Sequence, residues 1–98
     1  MTFKITAVVI DKVSFVNDVK KLPPDVLADL ANRLALLVAN PTAKKLRFHG
    51  LNGFDPKLYK IDLESGKGQR YQATFIMEGS VAVFQRAGTH KQMDRCPH

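Results

Sequence analysis

Apolar residues change period part-way along this 98-residue chain, and that change limits what it can fold into. Between positions 26 and 38, Val26, Leu27, Leu30, Leu34, Leu37 and Val38 recur at three- and four-residue spacing, which makes one stripe on a helix of about four turns. From Leu58 onward the apolar residues alternate instead. Tyr59, Ile61 and Leu63, then Tyr71, Ala73, Phe75 and Met77, fall on one side of extended segments. A helix with one apolar stripe and a sheet with one apolar face each need a partner, and each can serve the other. Helices grouped in the first half and strands in the second predict an α+β domain.

The boundaries are marked in the sequence. Residues 3–10 are rich in β-branched side chains and predict a first strand, and Ser14 predicts a cap for a short helix holding Phe15, Val16, Val19 and Leu22. Pro23-Pro24 separates that helix from the next. Proline in a first helical turn removes only a donor that has no partner there, and Asp25 suits the positive end of the helix. Asn40-Pro41 ends the stripe. Strands are predicted over 58–63, 69–77 and 80–86, with a loop over 64–68 and a two-residue hairpin turn at Glu78-Gly79. The predicted order is β-α-α-β-β-β, a helical hairpin packed on an antiparallel-rich sheet, in one domain over 1–98. If Tyr71, Ala73 and Phe75 face the helices, Lys60, Asp62, Arg70 and Gln72 face away, on an open, cation-lined sheet face. That face is either an RNA platform or a solvated surface.

Composition narrows the function classes. Apolar residues make up 45% of the chain, enough for a single core but not for a deep cofactor pocket, and no cofactor is expected. No apolar run reaches the length of a membrane span, and Met1-Thr2-Phe3-Lys4-Ile5 does not resemble a signal peptide, so a soluble, cytoplasmic protein with no membrane partner is expected. The one cysteine, Cys96, permits no internal disulfide. The net charge is +6, carried as +1 over residues 1–43 and +5 over residues 44–98. That asymmetry points to a polyanionic partner, nucleic acid or an acidic protein. His49, His90 and His98 show no ligand spacing, so no metal site is predicted. Ser65-Gly66-Lys67-Gly68 lacks phosphate-loop spacing and predicts a hairpin loop.

One segment concentrates chemistry. Val81-Ala82-Val83-Phe84 delivers Arg86, a Gly88-Thr89 turn and His90 to one place. Histidine titrates near neutral pH and suits proton transfer, and the arginine fork fits phosphate oxygens. The alternative is a strand ending at Gly88 with a solvated His90. Lys44, Lys45 and Arg47 form a cluster just before His49, either an RNA-backbone contact or ordinary solvated surface.

These features together resemble the RelE/ParE superfamily of bacterial toxins. Phe15-Val16-Asn17-Asp18-Val19-Lys20-Lys21-Leu22 is similar to the family's first helix, and His49-Gly50-Leu51-Asn52-Gly53 to its leucine-x-glycine connection into the sheet. Phe84-Gln85-Arg86-Ala87-Gly88-Thr89-His90 is similar to the ending of the YafQ-like branch. The resemblance covers nearly the whole chain. It implies a small RelE-like fold and a metal-independent endoribonuclease that cuts mRNA, commonly on the ribosome, through attack of a ribose 2′-hydroxyl on the adjacent phosphate. It implies His90 as general acid or base and Arg86 on the scissile phosphate. It also implies His49 as a second proton-transfer group or a substrate contact, with Lys60 adding positive charge. Arg70, Lys44, Lys45, Arg47, Lys91 and Arg95 are further candidate RNA contacts, and a cognate acidic antitoxin is the implied protein partner. The chain departs from the branch in two places: Ile61-Asp62-Leu63-Glu64-Ser65 carries no histidine, and Asp94 stands where the branch has an aromatic residue. The alternatives are a ParE-like, non-enzymatic gyrase inhibitor and an inactive binding protein on the same fold.

Overall fold

The structure, a computed structural model, describes residues 4–51, 53–64 and 70–95, and of residues 90, 94 and 95 the backbone alone. Strand β1 (Ala7–Val9) leads to helices α1 (Val13–Val19) and α2 (Pro24–Ala39) and a single 3-10 turn (Lys44–Leu46). Strands β2 (His49–Leu51), β3 (Leu58–Glu64), β4 (Arg70–Glu78) and β5 (Val81–Thr89) follow, and helix α3 (His90–Arg95) comes last. The strands form one mixed sheet in the order β1-β5-β4-β3-β2, with β1 parallel to β5 and the other pairs antiparallel. The α+β class is as expected, and no described helix is long and apolar enough to cross a membrane.

The alternation in β3 and β4 sets the core. Ile61, Leu63, Tyr71, Ala73 and Phe75 bury against Phe15 of α1 and Val26, Leu30 and Leu37 of α2. Three ring contacts run through this layer, Phe15 to Phe84 at 5.3 Å, Phe84 to Phe75 at 5.0 Å and Phe75 to Tyr59 at 5.7 Å between centroids. All lie within the range where aromatic pairs attract beyond their buried area.

Several boundaries differ from expectation, each for a physical reason. The first strand spans only Ala7–Val9, because its partner β5 pairs with it only over Val81–Val83. Beyond that point α1 takes over the edge of β5. The Ser14 hydroxyl donates to the Gln85 carbonyl at 2.7 Å, and the Asp18 carboxylate accepts from the Ala87 amide at 2.9 Å. Ser14 therefore does not cap α1, whose N-cap is Lys12; it satisfies an edge carbonyl that no strand reaches. The β4–β5 turn is Gly79-Ser80, one residue later than expected, with Gly79 at φ +62°. Glycine at the first central position is what a type II′ hairpin turn requires.

Two elements are additional to the expected order. β2 is a three-residue edge strand on β3. α3 continues directly from β5, so His90 opens a helix rather than a loose tail. Its start is a reciprocal capping box: the Thr89 amide donates to Gln92 Oε1 at 2.9 Å, and the Gln92 amide donates to the Thr89 hydroxyl at 3.2 Å. A Cβ on Gly88 would meet Gln92 Oε1 at 2.6 Å and Met93 Cε at 3.2 Å. Both atoms end flexible side chains, so Gly88→Ala should fold, lose the Gln92–Thr89 bond, and cost about 1 kcal/mol in urea unfolding. Unchanged stability would mean that α3 does not depend on this close approach. Of the loop expected over 64–68, Glu64 instead closes β3; residues 65–68, the first residue of the strand expected from 69, Phe3 of the expected first strand, and the tail residues Cys96 and His98 lie outside the described residues.

Candidate nucleic-acid interface

Sheet register brings three of the candidate residues, His49, Lys60 and Arg86, into one row with Thr74. His49 pairs with Lys60, Lys60 with Thr74, and Thr74 with Arg86. Directly paired residues share a face, so the four form a row across β2, β3, β4 and β5 on the face opposite the buried Ile61, Ala73 and Phe75. Three strand steps make the row about 14 Å long. The neighbouring row on the same face holds Asp62, Gln72 and Gly88. His90 follows Gly88 by two residues, at the first position of α3.

The row is a lined groove rather than a flat open surface. Gln72 and Thr74 are buried, which corrects the expectation that Gln72 lies on an open face. On one side α3 folds back, with Gln92 and Met93 packed where Gly88 has no side chain. On the other side, loop residues 53–56 border a cavity over Leu58 and Ile76. Alternation identified the two faces correctly but could not show that the second is partly covered.

The cations of the groove are held by carboxylates. Lys60 Nζ donates to Asp62 Oδ1 at 3.0 Å, and Arg47 Nε lies 4.0 Å from Asp62 Oδ2. Arg86 donates to Asp18 through Nε at 2.6 Å and through a terminal nitrogen at 3.2 Å, a two-point grip on a guanidinium with 28% side-chain exposure. A cavity of about 240 Å³ opens beside this pair, lined by Asp18, Lys21, Tyr71, Arg86, Gly88 and Gln92 among others.

The remaining candidates border the groove. Lys44 and Lys45 begin the exposed 3-10 turn, and Arg47 follows it in the left-handed region at φ 49°. His49 is exposed on the edge strand. Arg70 opens β4 opposite Glu64, and Lys91 is exposed on α3. The side chains of His90 and Arg95 lie outside the described atoms. Among the described residues, no group of three His, Cys, Asp or Glu side chains is placed to hold a metal.

Sequence reading missed Asp18 and Arg33. Asp18 lies four residues after Ser14, so the two share a side of α1, and that polar pair on an apolar helix was the available signal. No family model, no curated protein and no solved structure matches the chain.

Proposed function

We propose that the protein is the toxin of a type II toxin–antitoxin pair with a RelE-like fold, a cytoplasmic, metal-independent endoribonuclease that cuts mRNA on the ribosome. The observation that carries this reading is the register row His49–Lys60–Thr74–Arg86, an imidazole and two cations in line on one sheet face, continued along β5 to His90. RNA needs such a track, with cations for successive phosphates and an imidazole near the reacting bond.

In this reading Arg86 binds the scissile phosphate and stabilises the charge of the phosphorane. His90 transfers a proton. The 2′-hydroxyl gives up its proton and attacks phosphorus, the bond to the 5′-oxygen breaks, and that oxygen is protonated as it leaves. The products are a 2′,3′-cyclic phosphate and a 5′-hydroxyl. Because three strand steps separate His49 from Arg86, this reading assigns His49 a contact with a neighbouring nucleotide rather than a second proton-transfer role. Lys60 and Arg47 add charge along the track, with Lys44, Lys45, Arg70, Lys91 and Arg95 around it. An acidic segment of an antitoxin would cover the same basic face.

The carboxylates that hold Lys60 and Arg86 favour a second reading, a binding protein without catalysis, because a phosphate must compete with Asp62 and Asp18 for both cations. Induced expression of the wild type in a bacterial host separates these readings, with primer extension on abundant mRNAs and plasmid supercoiling followed in parallel. New codon-phased cuts are expected. Growth arrest with intact mRNA and altered supercoiling would indicate gyrase inhibition. Soluble, folded protein with neither effect would leave the binding protein.

A further inference from the structure

A second cavity of about 270 Å³ lies at the end of the groove opposite α3. Leu58 and Ile76 line it, and with Val83 they form the register row next to Lys60–Thr74–Arg86. The two rows are two residues apart along β3 and β4, about 7 Å. Phe54 adds an aromatic wall, and Lys12, Asp55 and Gln85 supply the polar edge.

Gln85 is in this cavity because of a β-bulge. Phe75 pairs with Phe84 and Thr74 with Arg86, so Gln85 is the extra residue of β5. A bulge re-aims a side chain, and they recur beside functional sites. The re-aimed amide is also fixed in orientation. Its Nε2 donates to the Val83 carbonyl at 2.9 Å, and its Oε1 accepts from Lys12 Nζ. A primary amide has two N–H donors and two acceptor lone pairs. One of each is used, which leaves the amide one further N–H and one further lone pair to offer a ligand. Gln85 is itself almost fully buried, at 6% exposure. A pinned amide with an adjacent donor and acceptor, at the edge of a small apolar slot, matches the polar edge and flat faces of a nucleobase. The volume is just below the usual range for drug-sized ligands, as suits a single ring system.

We propose that this cavity is a nucleobase subsite, and that the Gln85 amide reads the base of a nucleotide adjacent to the one held by Arg86. The proposal rests on the RNA-binding reading and gives it sequence preference: of the four bases, those presenting a complementary donor and acceptor on one edge are selected.

The test is a titration of the full chain with AMP, GMP, CMP and UMP, and with ribose 5-phosphate as the base-free control. It is followed by the side-chain amide signals of Gln85 and the ring signals of Phe54. Saturable shifts with one or two of the nucleotides, and none with ribose 5-phosphate, are expected. Gln85→Leu, close in size, should weaken that binding at least tenfold. Gln85→Glu, which replaces the donor by an acceptor, should change the order of preference. Equal shifts with ribose 5-phosphate, no shift with any nucleotide, or unchanged affinity in Gln85→Leu would each overturn the subsite. The outcomes separate this proposal from the nuclease reading. Wild-type protein that cuts RNA with a base preference untouched by Gln85→Leu sinks the subsite alone. Selective base binding by a protein that never cuts sinks the nuclease alone.

Discussion

Asp29→Ala is expected to lower stability by about 3–5 kcal/mol, the usual result of removing one partner of a buried ion pair. Arg33, on α2, is 1% exposed and makes the largest fully buried side chain of the described residues. Its Nε donates to Asp29 Oδ2 at 2.6 Å, one helical turn away. One terminal nitrogen donates to the Asp62 carbonyl at 2.9 Å and to the Lys45 carbonyl. The other has no hydrogen-bond partner and lies 3.6 Å from the exposed Glu64 carboxylate. Asp29 Oδ2 also accepts from the Glu64 amide at 2.8 Å. The pair therefore ties α2 to β3 and to the 3-10 turn that precedes His49. Without Asp29 the buried guanidinium keeps two carbonyls and, of its carboxylates, only the exposed Glu64 at 3.6 Å. The loss should appear in urea unfolding as a lower midpoint with unchanged slope, and as a melting temperature lower by roughly 15 °C or more. The double variant Asp29→Leu/Arg33→Met should recover much of it, because an apolar pair has no charge to compensate. A loss under about 1 kcal/mol in Asp29→Ala would show that the carboxylate does not hold the buried cation.

Arg33 also shows where the sequence could and could not be read. The period of α2 was legible, but its phase was not. The expected stripe held Val26, Leu27, Leu30, Leu34, Leu37 and Val38, whereas the buried positions are Val26, Leu30, Arg33 and Leu37, with Leu27 and Val38 exposed. Apolar residues flank the true seam on both sides, so hydrophobicity alone draws the stripe too wide and passes over a charge in its centre. The signal was the spacing: Arg33 follows Leu30 by three and precedes Leu37 by four, with Asp29 four residues before it. The apolar face of β3 and β4 was fully legible because alternation has a period of two and no phase ambiguity once one core residue is known. α3 was not read because His90–Arg95 has one apolar residue, Met93. Thr89 and Gln92 at capping-box spacing marked its start all the same. The register row at the groove could not be read at all. It depends on four strands aligning, one of them three residues long, and on a bulge in β5 that no local pattern announces.

The second large effect concerns cleavage. Under the nuclease reading, Arg86→Ala should lower the rate of RNA cutting about 10²–10³-fold, the usual loss when a donor to the developing charge is removed. His90→Ala should lower it about 10²–10⁴-fold through loss of proton transfer. Asp18 makes the Arg86 effect more specific. Its carboxylate grips the guanidinium at two points and also accepts the Ala87 amide, so it fixes both the side chain and the strand that carries it. Asp18→Asn can still accept from Ala87, but it loses the charge that holds Arg86 and turns a donor toward a donor. Its rate should fall with substrate affinity little changed, because a misoriented guanidinium still attracts phosphate but no longer meets the charge that develops at phosphorus. Arg86→Lys should recover little, since an ammonium cannot span the carboxylate and the phosphate as the planar fork does. The deciding comparison is the double-mutant cycle. If Asp18 acts through Arg86, adding Asp18→Asn to Arg86→Ala changes the rate no further. A further drop in that background would assign Asp18 a role of its own at the edge of β5. A rise in Asp18→Asn alone would mean that the carboxylate restrains Arg86 and competes with the phosphate for it.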